Sequence, residues 1–145
     1  MRILLRGLLG GVLLLGSARV VWAKCDPATN PDDAASVANA RTAADSACVC
    51  GSFTDHGAYV SCAAGAINTA LDGSDAQHNR SCRGTAKKCY AHSTCGKSGF
   101  VTCYKTTAKG KSSCAVKSDC THCIAPSGGT ACCGTNSSCC DNCTP

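Results

Sequence analysis

The cysteine content constrains this chain more than any other feature. All sixteen cysteines of the 145-residue sequence lie after residue 24. They are preceded by a basic start, Arg2 and Arg6, and by the short apolar run 7–15, which together are typical of a secretory signal peptide. The apolar run is too short for a transmembrane helix, which needs about 20 residues. Because export favours oxidation of thiols, the sequence predicts a disulfide framework.

We expect residues 1–23 to be removed as the signal peptide. Cleavage after Ala23 fits the small-residue rule, and Ala18 is a second candidate. Lys24 directly precedes Cys25, whereas a lipoprotein signal needs a small residue before the modified cysteine. The prediction is a secreted or periplasmic protein with no membrane anchor after cleavage.

The predicted mature chain has very few side chains with which to build a core. Its 122 residues contain only eight Val, Ile and Leu and two Phe, a composition that is typical of disorder when nothing else supports the fold. Disulfides would supply the missing stability by restricting the unfolded state. We expect every cysteine to take part, with a connectivity that the sequence leaves open: Cys25, Cys48, Cys50, Cys62, Cys82, Cys89, Cys95, Cys103, Cys114, Cys120, Cys123, Cys132, Cys133, Cys139, Cys140 and Cys143.

Two helices are predicted in the first half. Asn30 can cap a helix that starts with Pro31 and two aspartates and continues through an alanine-rich run to Ala47. A second helix is expected to start near Asp55 and to end before Gly73. Its apolar residues recur every three or four positions: Tyr59, Cys62, Ala63, Ala66, Ile67, Ala70 and Leu71.

The helical period disappears after Gly73. Residues 99–106 are rich in β-branched and aromatic side chains, and residues 112–117 can pair with them as a hairpin. From Cys120 onward the sequence indicates an irregular tail. The predicted fold is a small disulfide-rich α+β protein, in which a helix pair precedes a β-hairpin and a cysteine-stapled tail. We divide it into a helical, alanine-rich segment, 24–79, and a disulfide-rich segment, 80–145, which can form one continuous domain.

Two segments carry a resemblance to known sequences. One is Asp55-His56-Gly57-Ala58-Tyr59-Val60-Ser61-Cys62; the other is the tail with Gly128-Gly129-Thr130-Ala131-Cys132 and Ser138-Cys139-Cys140-Asp141-Asn142-Cys143. Both resemble segments of uncharacterised, exported, cysteine-rich bacterial proteins. The resemblance implies an extracytoplasmic location and a bacterial source, and it implies no activity or site.

A zinc site is the sharpest chemical alternative to disulfides. Cys120 and Cys123, followed after sixteen residues by Cys140 and Cys143, have the spacing of a four-cysteine zinc site. Three further cysteines lie between the two pairs, and export favours disulfides over thiolate ligands. The favoured interpretation therefore has no metal and no cofactor.

Charge is distributed unevenly along the predicted mature chain. Residues 24–79 contain two basic and seven acidic residues, and residues 80–145 contain nine basic and two acidic ones. The basic half can contact an anionic partner through the region around Lys87, Lys88, Lys105, Lys109 and Lys111. No specific nucleic-acid motif accompanies these lysines.

No catalytic constellation is visible in the sequence, so the prediction is a secreted structural or binding protein without an identifiable catalytic site. The first alternative is a small secreted hydrolase or toxin-like effector whose site the disulfides assemble. A cleft that gathers His56, His92 or His122 with carboxylates would indicate it. The second alternative is a cysteine-ligated metal-binding protein.

Overall fold

The computed structural model describes residues 24–72, 79–134 and 136–140. The predicted signal peptide and Cys143 lie outside the described residues. The described part contains three α-helices and a three-stranded antiparallel sheet, joined by short 3₁₀ turns. This confirms the predicted small α+β fold, with the helix pair before the hairpin. None of the described helices is long and apolar enough to cross a membrane.

Helix α1 (Pro31–Ala47) begins where the sequence predicted it. The side chain of Asn30 accepts a hydrogen bond from the Asp32 amide at 3.0 Å, which satisfies one of the free donors at the helix start. Ala40 and Ala44 are fully buried. Their small side chains let the neighbouring helix approach closely, so α1 packs through shape rather than through a broad apolar face.

Helix α2 (His56–Ala70) begins after Asp55, whose carboxylate accepts a hydrogen bond from the Ala58 amide at 2.7 Å. The predicted apolar stripe faces the core, since four of its seven members are buried: Tyr59, Ala63, Ile67 and Leu71. The Cys48–Cys62 disulfide ties the end of α1 to the first half of α2. This bond fixes the helix pair.

A third, short helix, α3 (Arg83–Lys87), lies in a region where the sequence showed no helical period. Its Ala86 is fully buried, and the helix packs against both α1 and α2. The guanidinium of Arg41 on α1 donates to the carbonyls of Thr85 and Ala86 at 3.4 and 3.5 Å. Tertiary contacts therefore hold a segment that is too short to be a stable helix alone.

Tyr90 closes the helical core beside α3. Its side chain is 1% exposed, and its hydroxyl contacts the Arg41 carbonyl at 3.0 Å and the Asp45 carboxylate at 2.7 Å. Burial, reinforced by the hydrogen bond to Asp45, raises the pKa of this phenol. Its ring packs near Tyr59, which in turn contacts Phe53.

The sheet has the order β2-β1-β3. Strands β1 (Val101–Thr106) and β2 (Ser112–Lys117) form the predicted hairpin. The expectation of an irregular tail was wrong for residues 130–134, because Thr130–Gly134 forms β3 and pairs with β1. Residues 130–134 carry no hydrophobic alternation. Backbone pairing and cysteine cross-links hold them in the sheet instead.

Seven disulfides join described cysteines, and Cys132 is disulfide-bonded as well. Two of them connect the predicted segments 24–79 and 80–145 across their boundary: Cys25–Cys82 and Cys50–Cys95. Cys89–Cys140 and Cys114–Cys139 connect the last described segment to the rest of the chain. Cys103–Cys123 and Cys120–Cys133 brace the sheet. The described part contains no free cysteine.

Candidate binding surface

The structure places three of the four cysteines of the zinc hypothesis in separate disulfides. Cys120 pairs with Cys133, Cys123 with Cys103, and Cys140 with Cys89, while Cys143 lies outside the described residues. Zinc ligation requires thiolates, so all three of these disulfides would have to be reduced before the predicted ligand set could form.

One group of metal-ligating side chains does converge within the described ranges. Cys25, Cys82 and Asp33 are all buried, and their ligand atoms lie within 4.8 Å of one another. The two sulfurs form a disulfide. The Asp33 carboxylate accepts hydrogen bonds from the Asp26 amide at 2.7 Å and from the Asn79 side chain at 2.6 Å. Asp33 thus links the residue after Cys25 to the segment that precedes Cys82.

His56 has a structural contact rather than a carboxylate partner. Its Nδ1 lies 3.0 Å from the Cys95 carbonyl oxygen, and the ring donates this hydrogen bond in the Nδ1–H tautomer. The neighbouring carboxylate of Asp55 points to the helix start instead. His56 therefore connects the beginning of α2 to the loop that contains Cys95.

His122 lies within hydrogen-bonding distance of both a carboxylate and a hydroxyl. Asp119 Oδ1 lies 2.8 Å from His122 Nδ1, and Ser118 Oγ lies 3.2 Å from the same nitrogen. Serine activation needs the carboxylate on one ring nitrogen and the hydroxyl on the other. Because both partners share Nδ1, this exposed cluster has the wrong geometry for a catalytic triad.

Asp119 organises the turn that contains this cluster. It accepts hydrogen bonds from the hydroxyl and the amide of Thr121. The hydroxyl of Thr121, followed by His122, lowers the pKa of Asp119. His92 lies exposed in another turn, where its carbonyl accepts a hydrogen bond from the Cys139 amide at 3.1 Å. The histidines singled out from the sequence therefore lie in three separate settings.

A groove of about 660 Å³ runs over one face of the sheet. Its described lining comes from all three strands and from Cys139: Tyr104, Lys105, Thr106, Ser112, Ser113, Cys114, Thr130, Ala131, Cys132 and Cys139. The described lining includes no histidine and no carboxylate. Hydroxyl groups and disulfide sulfurs dominate it.

The strand register explains which side chains share this face. Thr106 on the central strand lies opposite Ser112 on one side and Thr130 on the other. One step further along the strand, Tyr104 lies opposite Cys114 and Cys132. Directly opposed residues share a face of the sheet. The groove therefore contains a row of three hydroxyls, next to a row made of a tyrosine and two half-cystines.

Tyr104 is held firmly in place. Its hydroxyl donates to the Ser138 carbonyl at 2.6 Å, and a side chain on Gly134 would approach its ring to 3.2 Å. The Cys114–Cys139 disulfide lies in the same lining. The Tyr104 ring and this disulfide form the floor of the groove beside the hydroxyl row.

Positive charge surrounds the hairpin. Lys105 and Lys117 lie on its strands and Lys109 and Lys111 in its loop, and residues 80–118 contain no acidic residue. The described ion pairs involve Arg80, Arg83 and His122, so no described carboxylate pairs with a hairpin lysine. Lys87 and Lys88, grouped with these lysines in the sequence analysis, belong to α3 and its end.

Sequence reasoning missed the groove because it missed β3. Thr130 lies among turn residues, and nothing local shows that it pairs with Thr106. The register places Thr130 and Cys132 on one face and Ala131 and Cys133 on the other, and this pattern lacks the apolar–polar contrast that indicates a strand.

The fold and its cross-links define this chain as a small disulfide-stabilised α+β protein. No family model, curated protein or solved structure matches the chain.

Proposed function

We propose that this is an exported binding protein, in which the disulfide framework presents the basic hairpin to an anionic partner. The proposal rests on the hairpin lysines, which form no ion pair with a described carboxylate and lie on a sheet braced by Cys103–Cys123 and Cys120–Cys133. Positive charge on a braced backbone attracts anions, and less backbone freedom is lost on binding than from a flexible loop.

Two properties support an exported location. The described cysteines are fully paired, and disulfides persist in oxidising compartments. The first 23 residues also have the composition of a signal peptide. Durability outside the cell fits a core that contains few large apolar side chains and many cross-links.

The charge of the molecule supports a local contact rather than a general polyelectrolyte effect. Residues 24–145 carry 11 Lys and Arg against 9 Asp, a net charge of only +2 when histidine is neutral. Retention on an anionic surface would then depend on where the lysines lie. The hairpin concentrates three of them within residues 105–111.

Salt-dependent retention on a sulfonate matrix tests this function. The variant Lys105→Gln, Lys109→Gln, Lys111→Gln should elute at clearly lower salt than the wild type, because exposed charges act locally and are screened by salt. The matched control is Lys24→Gln, Lys87→Gln, Lys88→Gln, which removes the same charge from positions outside the hairpin. It should elute close to the wild type. Equal shifts in both variants, or a wild type that is not retained, would contradict the proposal.

A further inference from the structure

We infer that the groove on the sheet binds an anionic polysaccharide, with its sugar hydroxyls on the hydroxyl row and its acidic groups on the hairpin lysines. The hydroxyl row consists of Ser112, Thr106 and Thr130. This inference rests on the proposed function, since it names the chemical class of the anionic partner.

The hydroxyl row has the hydrogen-bonding capacity that a sugar requires. Its members come from three adjacent strands and so span roughly 10 Å at the usual strand spacing. Each hydroxyl can donate one hydrogen bond and accept two. Thr106 and Ser112 already contact each other at 3.2 Å, which leaves further acceptor and donor capacity toward the groove. Sugar hydroxyls also both donate and accept, so the two sets are complementary.

The composition of the groove argues against a ligand that only accepts hydrogen bonds. A polyphosphate offers acceptor oxygens alone, and ammonium groups, which only donate, would satisfy it. Lys105 in the lining and Lys109 and Lys111 in the adjoining loop supply such donors, but residues with hydroxyl groups outnumber the single lysine in the groove. A ligand that uses both regions must combine negative charge with neutral hydroxyls.

The floor of the groove suits the apolar faces of sugar rings. The ring of Tyr104 and the Cys114–Cys139 disulfide line it, and the contact between Tyr104 and the Ser138 carbonyl fixes the ring. Binding sites commonly combine an aromatic surface with a few fixed polar groups. The hydrogen bond and the disulfide restrain this floor and so limit the ordering cost of binding.

The test compares binding of dextran sulfate and of inorganic polyphosphate to the oxidised protein by titration at constant ionic strength. In the variant Thr106→Val, Ser112→Ala, Thr130→Val, affinity for dextran sulfate should fall about tenfold through the loss of three hydroxyls. Affinity for polyphosphate should change less than about twofold by the same reasoning. The control Ser46→Ala, Ser61→Ala, Ser98→Ala removes three hydroxyls outside the described groove lining and should leave both affinities unchanged.

The outcomes separate this inference from the proposed function. Equal losses for both polymers, or no loss for either, would overturn the polysaccharide assignment. The proposed function would still stand if the hairpin lysine variant lost affinity for both polymers. Binding of neither polymer by the wild type would contradict the proposed function itself. If the triple variant fails to form its disulfides, the single change Thr130→Val at an exposed position provides the same comparison. We expect it to lose affinity for dextran sulfate and to keep its affinity for polyphosphate. An equal loss for both polymers would contradict the inference.

Discussion

At the scale of single residues, two buried hydroxyl groups differ in their hydrogen bonding. Ser93 is fully buried, and its hydroxyl has no hydrogen-bond partner within the described residues. Thr102 is equally buried, but its hydroxyl lies 2.9 Å from the Asn136 carbonyl. The two hydroxyls therefore have opposite expected effects on stability, because an unpaired buried polar group costs free energy and a paired one contributes it.

We expect Ser93→Ala to leave the free energy of unfolding unchanged or to raise it. Thr102→Val should lower that free energy by about 1 kcal/mol, because it removes the paired donor at nearly constant volume. Chemical denaturation of the oxidised variants measures both effects. A clear loss of stability in Ser93→Ala would show that its hydroxyl has a partner.

Gly96 illustrates a position that only glycine can occupy. Its φ is +71°, and a Cβ there would lie 2.4 Å from the Asp55 carbonyl carbon and 2.5 Å from the His56 amide nitrogen. Gly99 has a similar φ of +79° with open space around it. The two glycines share the backbone strain that a side chain would bring, and they differ in the clash.

Gly96→Ala should therefore destabilise the protein more than Gly99→Ala does. Gly99→Ala, the control, has only the left-handed backbone cost of about 1–2 kcal/mol. Gly96→Ala has that cost and also pushes the loop away from the start of α2. Thermal unfolding of the oxidised variants compares them. Equal decreases in Tm would mean that the loop near Gly96 moves without cost.

At the scale of elements, α1, α2 and the β1–β2 hairpin followed local signals, whereas α3 and β3 did not. The caps at Asn30 and Asp55 and the stripe on α2 are encoded within a few residues, so the first half was predictable. The strand β3 depends on pairing with β1 about thirty residues away, and no local period indicates it. The candidate groove could not be predicted from the sequence for the same reason, because its hydroxyl row forms only when all three strands are paired in register.

The α2 cap gives a prediction at this scale. Asp55→Ala removes the acceptor for the Ala58 amide and should lower the free energy of unfolding by about 1 kcal/mol, as is usual for an N-cap. Asp55→Asn keeps a capping oxygen and should retain most of the stability. Denaturation of the two oxidised variants checks this, and equal losses in both would assign the effect to charge rather than to the cap.

The whole molecule is a small core held by cross-links, with an excess of acidic residues in 24–79 and of basic residues in 80–145. Its buried set consists largely of alanines and half-cystines, which bury little apolar area per residue. Disulfides that close loops of 13 to 57 residues restrict the unfolded chain instead. Full reduction should therefore unfold the protein, and far-ultraviolet circular dichroism of the reduced chain should show loss of helix.

Disulfide mapping tests this central claim most directly. The protein secreted from an oxidising host is digested without reduction, its linked peptides are identified by mass, and its intact mass and metal content are measured alongside. The account predicts a protein that gains sixteen hydrogens on reduction, binds no metal and yields the pairs Cys25–Cys82, Cys48–Cys62 and Cys50–Cys95 among its linked peptides. Four or more free thiols with a bound metal at Cys120, Cys123, Cys140 and Cys143 would contradict it.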